Sequence, residues 1–293
     1  MTPVSYSLPV RLRALAAVGL VALAGCGGSS DSGGLNGPHI GKAKTFELAD
    51  FEPTGPVTPG KPATVSFHIT QPDGKPLTRY KTGAGPHTGV HLIFVKNDLS
   101  DMIHLHPPLK ADGSISEQVT FPSGGPWHVL VDVYPDLGAN TLRNFQLTDD
   151  IRVKGAYKPQ QLPAPKSEQT IDGYHFTMTT PKRIRSLRPE FFNVNVKDSN
   201  GKPANFGTWY GATAHAIFFK DKALDYFHTH VCRPEAKACQ AATAGNTIVG
   251  KSTKPGELTV GTLLPSGGKW KLFLQTKVDG KVMTVPYTLN VSS

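Results

Sequence analysis

The sequence predicts an all-β fold, and three observations lead to this prediction. Glycine and proline are abundant, with 30 and 25 copies among 293 residues. Long amphipathic helical patterns are missing, and short segments such as "ATVSFHIT" and "FFNVNVKD" alternate between apolar and polar residues with a period of two. Turn dipeptides, among them Asp73-Gly74 and Asn200-Gly201, follow these segments. This pattern is typical of many short strands joined by tight turns.

The segments belong to an internal repeat. The first repeat reads "VSFHITQPDGKP" and later "FPSGGPWHVLVDVY", whereas the second reads "FNVNVKDSNGKP" and later "LPSGGKWKLFLQTK". Each repeat contains about seven short strand segments at turn spacings typical of a β-sandwich. The predicted architecture is therefore two tandem immunoglobulin-like β-sandwich domains, at residues 44–155 and 169–293, joined by a linker at 156–168. One sandwich built by both halves together is the alternative.

Between these blocks, each repeat carries the same histidine pattern, in which twelve residues and then one residue separate three histidines. The members are His91, His104 and His106 in the first repeat, and His215, His228 and His230 in the second. If Lys96 pairs with Asp101 in a hairpin, His104 lies opposite Ile93. Opposed residues and residues two apart point to the same face of a sheet. Each trio is therefore predicted to gather on one face of its hairpin.

Three clustered imidazoles favour a metal site. Protonated rings repel one another, and each neutral ring still has a donor and an acceptor to satisfy. Imidazole ligands suit copper, zinc and nickel, and copper binds most tightly among the divalent ions. We expect a copper ion, with zinc as the alternative. Met102 is a candidate additional ligand that would favour Cu(I), whereas Tyr226 occupies its place in the second repeat. His87 and His128 are further candidates in the first repeat alone.

The N-terminus carries a basic region at Arg11 and Arg13, an apolar run, and the ending "LAGC" at 23–26. This ending resembles the lipobox of bacterial lipoprotein signal peptides. The resemblance implies that residues 1–25 are removed and that Cys26 carries the acyl chains, palmitate among them. Residues 26–43 are rich in glycine and serine, which is typical of a flexible tether. We therefore expect a lipid anchor in the cell membrane, with the protein on the extracytoplasmic face.

The remaining cysteines, Cys232 and Cys239, are predicted to form a local disulfide bond, since exported compartments permit oxidation. A thiol pair that binds metal is the alternative. The net charge of +9 is scattered without a dense basic stripe, so nucleic acid is not an expected partner. No hydrolase or metalloprotease motif accompanies the histidines, and a non-enzymatic role is predicted. A three-histidine site with an open position would be the enzymatic alternative.

Each repeat also resembles the YtkA-like group of extracytoplasmic immunoglobulin-like domains. The resemblance rests on His91, "HLHP" at 104–107 and "PSGGPW" at 122–127, and on His215, "HTHV" at 228–231 and "PSGGKW" at 265–270. The second repeat lacks the proline after its last histidine. The resemblance implies a link to copper-handling proteins. The predicted function is copper capture or delivery by a membrane-anchored lipoprotein, with envelope metal-handling proteins as candidate partners. A non-catalytic interaction module with structural histidines is the alternative.

Overall fold

The computed structural model describes residues 45–82, 88–138, 144–242 and 248–293, with the side chains of 240–242 left aside. The predicted signal peptide, Cys26 and the whole of the predicted tether at 26–43 lie outside these residues. The first repeat forms β1 (Glu47–Glu52), β2 (Pro62–Thr70), β3 (Val90–Lys96), β4 (Met102–Leu105), β5 (Ser114–Thr120), β6 (Gly125–Val133) and β7 (Phe145–Val153).

The second repeat continues with strands and one short helix. They are β8 (Glu168–Ile171), β9 (Tyr174–Thr179), β10 (Ile184–Arg185), β11 (Glu190–Lys197), β12 (Phe206–Gly207), β13 (Ala214–Lys220), β14 (Tyr226–Cys232), α1 (Lys237–Ala242), β15 (Gly250–Lys251), β16 (Glu257–Thr262), β17 (Gly268–Val278) and β18 (Lys281–Ser292). No helix in the described ranges is long and apolar enough to span a membrane.

The first repeat is a sandwich of two antiparallel sheets, ordered β1-β2-β5 and β4-β3-β6-β7. Its core joins alternate residues of both sheets, including Val65 and Phe67 from β2 and Leu92 and Phe94 from β3. The period of two places these side chains on one face of each strand. The all-β, immunoglobulin-like fold class predicted from the sequence is confirmed.

The second repeat follows the same strand order, with β14-β13-β17-β18 facing β16-β11-β9-β8. Here β15 pairs with both β14 and β16, so all these strands belong to one continuous sheet of eleven strands. The short strand β15 comes from the additional residues between β14 and β16, a stretch that is longer than its counterpart in the first repeat. The insertion therefore closes one edge of the second sandwich.

The Gly-Gly corners show how closely the repeats correspond. Trp127 Nε1 donates to the Ser123 carbonyl at 3.2 Å, and Trp270 Nε1 donates to the Ser266 carbonyl at 3.1 Å. The second glycine of each corner has a positive φ, 126° in Gly125 and 128° in Gly268, which favours glycine. Each corner thus anchors its tryptophan at the start of a strand that crosses the sandwich core.

The two sandwiches pack against each other through the sheets that carry the histidines. Leu92 and Phe94 of β3 enter the core of the first repeat, whereas Ile93 of the same strand points the other way. A separate apolar cluster lies between the repeats and contains Ile93, Val95, Leu99, Met102, Leu130, Leu162, Ile217, Phe219 and Phe273. Residues 44–293 accordingly form one compact unit, and the predicted linker contributes Leu162 to this interface.

Candidate metal centre

The two hairpins have the register that the sequence predicted. Ile93 pairs with His104 between β3 and β4, and the main-chain nitrogen of Lys96 donates to the Asp101 carbonyl at 3.0 Å. In the second repeat, His215 pairs with His230 between β13 and β14. Because opposed residues share a face, the histidines of each hairpin point away from their own sandwich core. The predicted clustering of each trio on one face is confirmed.

The two trios meet each other at the interface between the repeats. We call the six residues the histidine cluster: His91, His104, His106, His215, His228 and His230. His91 Nδ1 lies 3.1 Å from His228 Nδ1 of the other repeat. The ring centroids of His104 and His215, also from different repeats, are 5.0 Å apart. Four members of the cluster are buried, and His106 and His228 are partly exposed.

Three overlapping groups within the cluster have ring nitrogens close enough to hold a metal ion. In each group, one nitrogen per residue lies within 4.8 Å of the others. The groups are His91 with His104 and His228, His104 with His106 and His215, and His215 with His228 and His230. Two of the three groups draw on both repeats. The first-repeat trio, expected to form a site by itself, is not one of the groups found among the described residues.

The hydrogen bonds around the group His104, His106 and His215 orient its rings. His104 Nδ1 lies 3.0 Å from Gln275 Oε1, and His215 Nε2 lies 3.0 Å from the Trp209 carbonyl. Both oxygens only accept, so these nitrogens carry the protons. His106 Nδ1 contacts Thr88 Oγ1 at 3.0 Å. Outer contacts of this kind fix the tautomer and orientation of metal-binding histidines.

The remaining nitrogens of this group suit a metal ion. They are Nε2 of His104, Nε2 of His106 and Nδ1 of His215, the last of which lies 3.2 Å from His228 Nε2 of a neighbouring group. The two Nε2 atoms are 3.2 Å apart. Two ligand nitrogens of a tetrahedral zinc ion at 2.0–2.1 Å would be separated by about 3.3 Å. The residues present therefore fit a three-histidine metal site whose ligands come from both repeats.

Burial keeps His104 and His228 of the cluster neutral, which is the state that coordinates metal. Burial lowers the pKa of His104 to about 3, with a further contribution from His91. Burial also holds the pKa of His228 well below its ordinary value, and the neighbouring His230 and His91 act in the same direction. A neutral imidazole offers a nitrogen lone pair to a metal, whereas a protonated one offers none.

Sequence reasoning missed the outer residues Thr88, Trp209 and Gln275. Gln275 reaches His104 from the other repeat, 171 positions away in the chain. It also missed Tyr210, whose ring stacks on His106 with centroids 3.9 Å apart. One signal was available, because "HLIFV" and "HAIFF" are continuous apolar runs rather than alternating ones. Strands that read this way are buried on both faces.

The other predicted ligands lie outside the three groups. Met102 belongs to the apolar cluster between the repeats, and its role as a ligand stays a prediction. His128 Nδ1 contacts Asp150 Oδ1 at 3.1 Å. His87 lies outside the described residues.

Cys232 and Cys239 form the predicted disulfide bond, with their Cα atoms 5.8 Å apart. The alternative of a metal-binding thiol pair is therefore wrong, because a disulfide has no thiolate to coordinate an ion. The bridge ties the end of β14 to α1, and both cysteines are buried beside Ala212 and Val249.

Solved structures similar to this chain include immunoglobulin-like proteins of low identity. The bacterial integrin-binding protein invasin is 17% identical with a TM-score of 0.24, and the match covers 85% of this chain and 39% of that one. Titin domains Z1Z2 in complex with telethonin are 10% identical with a TM-score of 0.21, over 86% and 98% of the two chains. A tetra-tandem repeat of a large adhesion protein is 10% identical with a TM-score of 0.25, over 85% and 49%. TM-scores this low carry no argument about function.

No curated protein matches the chain at a significant level. A family description does match, and it does so twice. The matched residues are 44–149 and 169–293, which correspond to the two repeats and together make up more than half of the chain. The chain therefore belongs to the family described as a domain of unknown function (DUF8832), and it contains two copies of that domain.

Proposed function

We propose that this protein is a membrane-anchored, extracytoplasmic metal-binding protein that holds one copper ion between its two repeats. The observation that carries the proposal is the convergence of six histidines from both repeats, with the group His104, His106 and His215 oriented by hydrogen bonds on its outer side. Histidines placed there only for packing would not need ring nitrogens gathered within 4.8 Å.

The donor set supports copper over other divalent ions. All the donors in the three groups are imidazole nitrogens, which suit copper, zinc and nickel, and copper generally binds most tightly in the divalent series. Partial exposure of His106 and His228 offers the ion a way in from solvent. Capture or delivery of copper at the outer face of the membrane also agrees with the lipobox resemblance at Cys26 and the YtkA-like resemblance of both repeats.

The overlap of the three groups supports one ion per chain rather than one per repeat. Every pair of groups shares a histidine: His104, His215 or His228. An ion in one group therefore takes a ligand from each of the others. Loading of two independent sites would require the rings to rearrange.

Titration of the tag-free protein with Cu(II), followed by dialysis and elemental analysis, tests this proposal. We expect one ion per chain in the wild type. His104→Ala/His215→Ala should lose it, because each of the three groups contains at least one of these two histidines. His175→Ala, at an exposed position outside the cluster, is the matched control. Two ions per chain in the wild type, or one ion retained in His104→Ala/His215→Ala, would contradict the shared site.

A further inference from the structure

A buried carboxylate lies beside the histidine cluster. Asp132 in β6 is only 1% exposed, and it pairs directly with His91 of β3. Paired residues of neighbouring strands point to the same face of the sheet, so both side chains face the second repeat. Asp132 is therefore part of the interface that holds the histidines, although it belongs to none of the three groups.

Four donors surround this carboxylate. Asn144 Nδ2 and Gln146 Nε2 donate to Oδ1 at 2.8 and 2.9 Å. The hydroxyls of Tyr134 and Tyr226 donate to Oδ2 at 3.1 and 3.3 Å, and Tyr226 comes from the second repeat. An ionised carboxylate only accepts hydrogen bonds, and this arrangement meets it with donors on both oxygens. These four donors therefore suit an ionised Asp132.

That charge has no cationic side chain next to it within the described ranges. Among the described residues, none of the salt bridges with a nitrogen and a carboxylate oxygen within 4.0 Å of each other includes Asp132. Burial raises the pKa of Asp132 above its ordinary value, and the four hydrogen bonds act in the opposite direction by favouring the ionised form. Buried charges in proteins are usually paired or coordinate metal ions. The centroid of the Tyr134 ring lies 5.3 Å from that of His91, and the centroid of the Tyr226 ring lies 6.2 Å from that of His228, so both tyrosines that donate to Asp132 also lie beside the cluster.

The second repeat provides an internal comparison. Gln275 pairs with His215 as Asp132 pairs with His91, so the two residues occupy equivalent positions. Gln275 is neutral and accepts from His104 Nδ1. One of the equivalent positions thus orients a metal-binding ring, whereas the other contributes a full negative charge.

We propose that Asp132 is a specificity-determining residue that makes the cluster prefer a divalent cation over Cu(I). This inference rests on the proposed function. The attraction between a fixed charge and an ion is proportional to the charge of the ion, so Asp132 stabilises a dication about twice as much as a monocation. The carboxylate does not contact the ion, and its effect is carried by the electrostatic field inside a buried interface.

The test measures the affinity of the full chain for Cu(II), Zn(II) and Cu(I) by competition with chelators, in the wild type and in Asp132→Asn. With an effective dielectric constant of about 20 and a separation on the order of 10 Å, loss of the charge should cost on the order of tenfold in affinity for each unit of metal charge. We therefore expect a loss of about 100-fold for Cu(II) and Zn(II) and about tenfold for Cu(I). The difference raises the Cu(II)/Cu(I) potential by about 59 mV.

Gln275→Met is the matched control, because it removes a partner of His104 without changing any charge. It should weaken Cu(II) and Cu(I) binding by similar factors and leave the potential unchanged. Gln275→Glu adds a charge at the equivalent position and should lower the potential, which keeps the inference testable if Asp132→Asn does not fold. Equal losses for both copper ions in Asp132→Asn, or no shift in Gln275→Glu, would overturn the role of Asp132 and leave the shared site standing. A wild type that binds no metal would overturn the proposed function itself.

Discussion

At the scale of single residues, the chemistry of this protein depends on histidines that burial keeps neutral. His104 is 4% exposed and surrounded by other imidazoles, so a positive charge on its ring would be poorly solvated and repelled. The same crowding applies to His228. These rings lose their hydration when the chain folds. In the proposed site, a metal ion would accept their nitrogen lone pairs in place of water.

The stability of the metal-free protein should therefore fall as the pH is lowered. In the unfolded chain these histidines take up protons near pH 6.5, whereas folded His104 stays neutral down to about pH 3. The unfolded state binds more protons throughout this window, so the free energy of unfolding decreases from pH 7 towards pH 3. For His104 alone the loss at pH 5 is about 2 kcal/mol. Urea unfolding at pH 7 and at pH 5, with a chelator present, measures this loss in the free energy of unfolding.

His104→Gln should flatten this pH dependence, and the same substitution at exposed His175 should leave it as in the wild type. Equal pH slopes in wild type and His104→Gln would show that the folded ring takes up its proton as readily as the unfolded one.

At the scale of secondary structure, β3 and β13 are the central elements because each is buried on both faces. Their burial is continuous along six consecutive residues, whereas β11 alternates between buried and exposed positions along its length. One face of each strand fills its own sandwich, and the other face contacts the opposite repeat. A strand that would be half solvated in a separate domain thus becomes interior to the whole unit.

Ile93→Ala should consequently destabilise the protein as a core substitution does, although Ile93 faces away from its own sandwich. Truncation of a buried isoleucine to alanine costs about 2–5 kcal/mol. Leu187→Ala, at a position that is 74% exposed, is the control and should change stability by no more than about 0.5 kcal/mol. Urea unfolding of both variants measures the two changes in the free energy of unfolding. Equal effects would mean that the two sheets are not packed together in solution.

At the scale of the whole molecule, the proposed shared site would make the two repeats a single metal-binding unit. An ion held by His104 and His106 on one side and His215 on the other joins two sandwiches that each have their own core. An ion that binds only the folded state stabilises every part of the chain that must be folded to form the site. Here both repeats must be folded and docked.

Metal should therefore stabilise both repeats together. Trp127 and Trp270 are buried in the first and second repeat, and single-tryptophan variants that retain one or the other report on each. Zn(II), which has no redox chemistry, is the probe. At a free concentration of 100 times Kd it should add about 2.7 kcal/mol to the free energy of unfolding seen by both tryptophans. A shift in only one of them would mean that a single repeat holds the ion, and His104→Ala/His215→Ala should remove the shift from both.

The sequence by itself determined the local features of this protein. Strand positions, the turns at Gly74 and Gly201, and the pairing of Ile93 with His104 depend on neighbours within about twenty residues, so their pattern is visible in the chain. Period-two alternation then decides which face each side chain takes. The disulfide between Cys232 and Cys239 was predictable for the same reason, because it closes a loop with a separation of only seven positions.

Only the tertiary structure decided that the two histidine trios form one cluster. His91 contacts His228 across 137 positions, and His104 contacts Gln275 across 171. These contacts exist because the outer faces of two sheets pack together, and that packing depends on the shape of whole surfaces rather than on a spacing in the sequence. The position of Asp132 beside the cluster follows from the same docking of the two repeats.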